Sequence, residues 1–355
     1  MTYRTVFFNR LGVALALLLT ACSSPGPATP PAPEAASGTI SKLGWTLQRQ
    51  AVAAANPLAT EAGAEILRAG GSAVDAAVAV QMVLTLAEPQ SSGIGGGAFL
   101  LHHDGRRTQA FDGRETAPAA VNDRLFLGAD GKPMPFMQAV VGGRSVGVPG
   151  TVAMLALAHR QHGTLPWARL FEPAIRLAEQ GFPVSARLHT LLAAETTLKA
   201  DPVAAAYFYQ TDGQPHPIGH RLKNPELAVV LRAIASAGPA ALSQGPVAEA
   251  IVNKVRQHPG NPGAMALEDL VRYQPREREA LCHEHKAALR ALRICGFPPP
   301  SSGAIAVSQI LGLLARTPGG AEPLGADGLP SPAFLHAYNE ASRLAFADRA
   351  QYLAD

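Results

Sequence analysis

The chain has 355 residues, 47% hydrophobic and 16% charged, which suits a well-cored globular enzyme of one large domain or two ordinary ones. Its net charge of +3 is spread along the sequence without a Lys/Arg block. That excludes a basic groove for nucleic acid, which needs clustered charge.

The first residues read as a targeting segment. Arg4 and Arg10 precede an apolar run, Leu11 to Leu19, of the length of a signal-peptide core. It is shorter than the roughly 20 apolar residues needed to span a bilayer as a helix. Leu19-Thr20-Ala21-Cys22 resembles a bacterial lipobox, in which a peptidase cuts before a cysteine that carries diacylglycerol. The plainer alternative is an ordinary signal peptide with a chance cysteine, and the placing of Cys22 favours lipidation. Ser23 rather than Asp follows, which resembles the outer-membrane sorting pattern. Residues 1–22 are thus expected to be a lipoprotein signal and 23–39 a Pro/Ala-rich tether that cannot bury a core. Residues 40–355 form the folded domain, held in the periplasm on a lipid anchor.

Further along, Ala51 to Ala55 reads as a short buried strand, and Thr60 opens an amphipathic helix ended by Gly70-Gly71. Ser72 with Asp75 forms a capping box for a second helix, apolar almost all round to Leu86 and therefore buried, packed on a sheet. Gly93 to Gly97 leads into a strand, and Asp104-Gly105 turns it into a returning strand over Thr108 to Asp112. Thr151 caps a helix to His162, Leu170 to Gln180 forms another, Asn224-Pro225 starts one closed by Gly238, and Pro246 to His258 is a fourth. Cys282 to Phe297 reads as two strands with a turn, although Ala287 to Leu292 is equally compatible with helix. Ser302-Gly303 opens a helix to Leu314, and a last helix runs from Pro332 to Leu353 without a stop signal, as if the sequence were cut there. Strands, a helical middle and strands again give an α+β or α/β layered enzyme.

The chemistry-bearing residues are sparse. His159 and His162 lack an intervening carboxylate in zincin order, and His283-Glu284-His285 would point to opposite faces of a strand, so no metal site is expected. The loop around Gly95 and Gly96 is no P-loop. Its glycines serve close backbone approach or positive φ, as plain turn geometry or beside a ligand. No Gly-x-Ser-x-Gly elbow occurs, so local sequence names no nucleophile. Arg114, just beyond a strand end, could hold a substrate carboxylate in its guanidinium fork, or be tied structurally to Asp112 or Glu115. Ser301 and Ser302, after a proline run, sit where a helix N-terminus could bind an anion, or simply cap the helix. Cys282 and Cys295 could be bridged across a hairpin in an exported protein, or remain separate buried thiols.

Six segments in order resemble the γ-glutamyltranspeptidase family: AANPLATEAGAEILRAGGSAVDAA from Ala54, PQSSGIGGGAF from Pro89, DGRETAP from Asp112, GVPGTV from Gly147, PPPSSG from Pro298 and EASRLAFADRAQYLAD from Glu340. The resemblance implies an N-terminal-nucleophile hydrolase, a four-layer αββα sandwich of which this is the large-subunit portion. It implies a precursor that cleaves itself, and a small-subunit threonine whose hydroxyl attacks the γ-glutamyl carbonyl with its own α-amine as base. Arg114 matches the arginine that binds the α-carboxylate of γ-glutamyl compounds such as glutathione. No cofactor is implied. The sequence departs from the family pattern at Ala304, where a further glycine is common, and over His283 to Leu292, where an aromatic pair is usual. No Thr-Thr-His-like processing site occurs, so the nucleophile and the small subunit are expected beyond this chain. The expected activity is that of a γ-glutamyltransferase or glutathione hydrolase. The alternatives are an inactive truncated lipoprotein acting as a binding module and a cephalosporin-type acylase of the same fold.

Overall fold

The computed structural model describes Gly44 and residues 46–353 apart from 288 and 289. Cys22 and the tether lie outside the described residues. The chain divides into Met1–Thr46 and Leu47–Asp355, and the architecture below is that of the second unit.

Residues 51–55 are not the expected strand. They have no ladder partner, and Val52 instead sets its methyls in the space left by the missing side chain of Gly63. Helix α1 spans Pro57–Arg68 and starts before Thr60, because Asn56 accepts from Leu58 N and Pro57 occupies the first turn, where a missing N–H costs nothing. Helix α2, Ala73–Ala87, has the expected capping box: Ser72 and Asp75 exchange side-chain to backbone bonds at 3.1 and 2.8 Å.

Strands β1 (Ala98–His103) and β2 (Thr108–Gly113) form the hairpin. Asp104 accepts from the amides of Arg106 and Arg107, and Gly105 takes φ 94°, a left-handed value that glycine adopts without strain. Helix α3 is Thr151–His162 and α4 is Glu172–Gln180. Thr151 does not cap α3. Gly150 holds that position, and the Thr151 hydroxyl donates to Gly96 O at 3.0 Å. Helices α5 (Pro225–Ala237) and α6 (Gly245–Arg256) follow, the first capped by Asn224 and ended at Gly238 with φ 63°. The short helix α7, Leu267–Arg272, leads into strand β3, Arg276–Glu279.

The main sheet has the order β1-β2-β3, all antiparallel. Its two faces differ. One carries Leu100, His102, Phe111 and Glu277 against α3; the other carries Phe99, Leu101, Asp112, Arg276 and Arg278. The central strand β2 is buried from Gln109 to Gly113, as a middle strand must be, while Phe99 and Leu101 are partly exposed.

Contrary to expectation, α2 lies among helices rather than on the sheet; it packs on α1, α3 and α4, and α3 is the helix that covers β2. The main core gathers Met82, Phe111, Met154, Phe171, Leu231 and Ile234, each fully buried or nearly so. Side chains of this size each contribute about 1.5–3 kcal/mol when removed from water.

Strands β4 (Leu281–Ala287) and β5 (Arg290–Gly296) form a separate hairpin, so the stretch compatible with helix is strand. Its register sets Cys282 opposite Cys295 with Cα atoms 4.0 Å apart, and the two are disulfide-bonded. Helix α8, Gly303–Leu314, packs on this hairpin, with the Ala304 methyl filling the space a side chain at Gly296 would need. Helix α9, Pro332–Tyr352, is capped by Ser331 and packs on α8. No helix among the described residues is long and apolar enough to cross a membrane. The class is α+β, with helices over one face of the three-stranded sheet.

Candidate functional site

Arg114 leaves the end of β2 with its backbone held on both sides. Its N–H donates to Asp112 Oδ1 at 2.8 Å, and its carbonyl oxygen accepts the Tyr273 hydroxyl at 2.8 Å. Asp112 is buried and also takes Arg278 Nε at 2.6 Å on its other oxygen. This charge-assisted bond fixes the carboxylate that orients the Arg114 amide. Burial, then the nearby Asp112 and Glu115 carboxylates, push the Tyr273 phenol up to about 12, so it remains a donor at all ordinary pH. The guanidinium of Arg114 lies beside Glu115, with Nε 3.8 Å from Oε2.

The glycines around this point are needed for close approach. A Cβ on Gly150 would collide with the Tyr273 hydroxyl and with Gly113 O. One on Gly97 would enter the Glu115 carboxylate, and one on Gly113 would sit 2.5 Å from Met154 Cβ. None of Gly93, Gly95, Gly96 and Gly97 adopts positive φ, and close approach, the other role expected of this loop, is seen at Gly97 alone among the four. Gly96 O accepts from Gly150 N, Thr151 N and the Thr151 hydroxyl at 3.0–3.1 Å, which ties the glycine turn to the start of α3. Gly95 has open space where a side chain would be.

Arg114 lines a cavity of about 700 Å³ together with Asp112, Glu115, Tyr273, Arg276 and Pro299-Pro300. Ser301 and Ser302 stand just behind the prolines and are not part of its lining. Neither hydroxyl caps α8 in the usual way. Ser302 Oγ accepts Arg349 Nε at 2.9 Å, joining the helix start to α9, and Ser301 Oγ meets Gly303 N at 3.4 Å. The expected plain side-chain cap is thus replaced at Ser302 by a tertiary contact. Among the described residues no three or more His, Cys, Asp or Glu side chains gather where they could hold a metal ion. Here His159 Nε2 bonds Leu165 O and His283 Nδ1 bonds Ser308.

Tyr273, Arg276 and Arg278 escaped the sequence reading. The signal for them was present in Arg276-Glu277-Arg278-Glu279, whose alternation puts both arginines on one face of a strand and both glutamates on the other.

The model of the gamma-glutamyltranspeptidase family matches residues 59–355. The chain belongs to the γ-glutamyltranspeptidase family. The glutathione hydrolase proenzyme of Bacillus subtilis (strain 168) is 36% identical over 306 residues, 86% of this chain and 50% of its own length. The acylase ACY 1 proenzyme of Pseudomonas sp. (strain V22) is 36% identical over 338 residues, 92% of this chain and 57% of its own. Among solved structures, the γ-glutamyltranspeptidase of Helicobacter pylori superposes with a TM-score of 0.79 at 31% identity, over 88% of this chain and 86% of that one. The chain therefore spans about half the length of these proenzyme relatives. In this γ-glutamyltranspeptidase-family chain, DGRETAP is the strand end that carries Arg114, and GVPGTV supplies the Gly150 that lets Tyr273 reach it.

Proposed function

We propose that this chain is the large-subunit portion of a γ-glutamyltransferase or glutathione hydrolase, and that Arg114 holds the α-carboxylate of the γ-glutamyl donor. The observation that carries the reading is the fixing of Arg114 from both sides, by Asp112 and Tyr273, at the wall of a cavity large enough for a peptide-sized ligand. Fixing the backbone sets the point from which the side chain reaches the cavity, and a guanidinium offers two parallel donors to a carboxylate. In the proposed reaction a threonine hydroxyl from the small subunit attacks the γ-carbonyl carbon and its proton passes to the threonine's own α-amine. The amine of the leaving group departs with a proton, and water or an amino acid or peptide acceptor then takes the γ-glutamyl group from the threonine ester. The relatives' greater length supports placing that threonine in sequence beyond this chain.

The frame that follows Asp355 tests this directly. A continuous frame with a Thr-Thr-His-like site is expected, and a stop codon there would leave an inactive remnant, the second reading. In the complete protein Arg114→Lys is expected to raise KM for γ-glutamyl donors about tenfold or more, the loss of one arm of a charge-assisted pair. Unchanged KM overturns the clamp. The acylase relative supports a third reading, a cephalosporin-type acylase, and turnover of cephalosporin side-chain amides in preference to γ-glutamyl ones would favour it. We place the protein in the periplasm, lipid-anchored through Cys22 on the LTAC motif. Loss of membrane fractionation in Cys22→Ala is the expected check.

A further inference from the structure

The cavity beside Arg114 carries more positive charge than its own carboxylates use. Four arginines (114, 272, 276 and 278) share its wall with three carboxylates, Asp112, Glu115 and Asp269. Two of the carboxylates are already hydrogen-bonded. Asp112 binds Arg278 Nε and the Arg114 amide, and Asp269 accepts from the amides of Ala119 and Ala266 at 3.0 and 2.9 Å. Glu115 lies against Arg114.

Arg272 and Arg276 remain. Among the described residues neither side chain has an ion-pair or hydrogen-bond partner. Arg276 pairs in register with Asp112, on the sheet face that carries Arg278, and its charge is felt by the Tyr273 phenol that holds Arg114 in place. Arg272 is the residue before Tyr273, in the last turn of α7. Two like charges held on the wall of one cavity repel, and an anion arriving there relieves that repulsion.

We infer that Arg272 and Arg276 form a second carboxylate subsite, so that the cavity takes γ-glutamyl peptides with a free C-terminal carboxylate in preference to γ-glutamyl amides with an uncharged leaving group. The inference rests on the reading of Arg114 as the first carboxylate clamp. Arg114 anchors the glutamyl end, and the pair on the Tyr273 side receives the far end of the leaving group. Both subsite arginines are exposed, so their effect is that of a solvated ion pair and is reduced by salt.

The test is equilibrium binding to the purified 355-residue chain, read by ligand-detected NMR, which measures millimolar affinities. The probes are S-methylglutathione and its C-terminal amide. The free acid is expected to bind about fivefold more tightly at low salt, the upper end for an exposed pair, and this advantage shrinks at high salt. The double change Arg272→Gln with Arg276→Gln removes the advantage and leaves the amide's affinity unchanged. Arg114→Gln weakens both ligands alike. Equal binding of acid and amide to the unaltered chain overturns the second subsite without needing any variant, while a loss in Arg114→Gln still supports the first. Failure of Arg114→Gln to weaken either ligand, or no binding of either, overturns both. Equal weakening of acid and amide by the double change assigns the arginines a structural role and overturns the subsite alone.

Discussion

The Tyr273 hydroxyl donates to the carbonyl oxygen of Arg114 at 2.8 Å, across a gap that exists because residue 150 has no side chain. A residue more than 150 positions away thus decides where the guanidinium starts. Tyr273→Phe is expected to cost about 1 kcal/mol near neutral pH, the worth of one hydrogen bond. The phenol is raised in the folded state, so its share of stability is complete below the ordinary tyrosine value. That share is lost as pH climbs through about 12. Chemical denaturation between pH 9 and 12 should show a smaller alkaline loss in Tyr273→Phe than in the unaltered chain.

Gly150→Ala would drive a methyl into the Tyr273 hydroxyl and Gly113 O. Overpacking against backbone has no cheap release, and a loss of about 2 kcal/mol or more is expected from thermal unfolding. Placing the same change in a Tyr273→Phe background removes the tightest of the three collisions, that with the hydroxyl, and leaves those with the ring Cζ and Gly113 O. A double-mutant cycle should therefore show the second penalty to be smaller than the first.

Asp75 is fully buried and accepts from Ser72 N, Thr164 N, Leu165 N and the Thr164 hydroxyl, so it joins the start of α2 to the loop after α3. Burial pushes its carboxyl up, but these bonds together outweigh burial and hold it below the ordinary aspartate value. Its contribution is present above the unfolded-state pKa and is lost as pH falls through the lower folded one. Asp75→Asn should cost about 2 kcal/mol at pH 7. Urea titrations from pH 7 to 3 should show the difference between the two proteins narrowing toward the acid end.

The bridge between Cys282 and Cys295 closes a sequence separation of 13 in a hairpin that packs mainly on α8. A non-reducing peptide map should recover the linked pair. Replacing both by serine should cost the hairpin about 2–3 kcal/mol. Amide exchange should rise across β4 and β5 while α2 and α3 keep their protection, because the main core lies elsewhere.

Local signals located some elements well and failed where a partner was remote. The Ser72–Asp75 capping box, the Asp104-Gly105 turn and the Asn224-Pro225 start each depend on residues within four positions, and each is seen at its expected place. Residues 51–55 had strand composition but no ladder partner, and hydrogen bonding decides what a strand is. Thr151 looked like a cap, yet its hydroxyl reaches Gly96 because the glycine turn packs on the start of α3. Ser302 looked like a cap too, and Arg349 from α9 claimed it.

The sequence by itself determined the family, through six ordered blocks, and singled out Arg114, because glycine turns, caps and strand ends leave short-range marks in composition and spacing. Only the tertiary structure decided what holds Arg114 and what lies around it. Asp112, Tyr273, Arg276 and Arg278 come from two stretches more than 150 residues apart, and meet because β3 pairs with β2 on the face away from α3. Pairing register sets which side chains share a face, and no local pattern in either stretch records its partner.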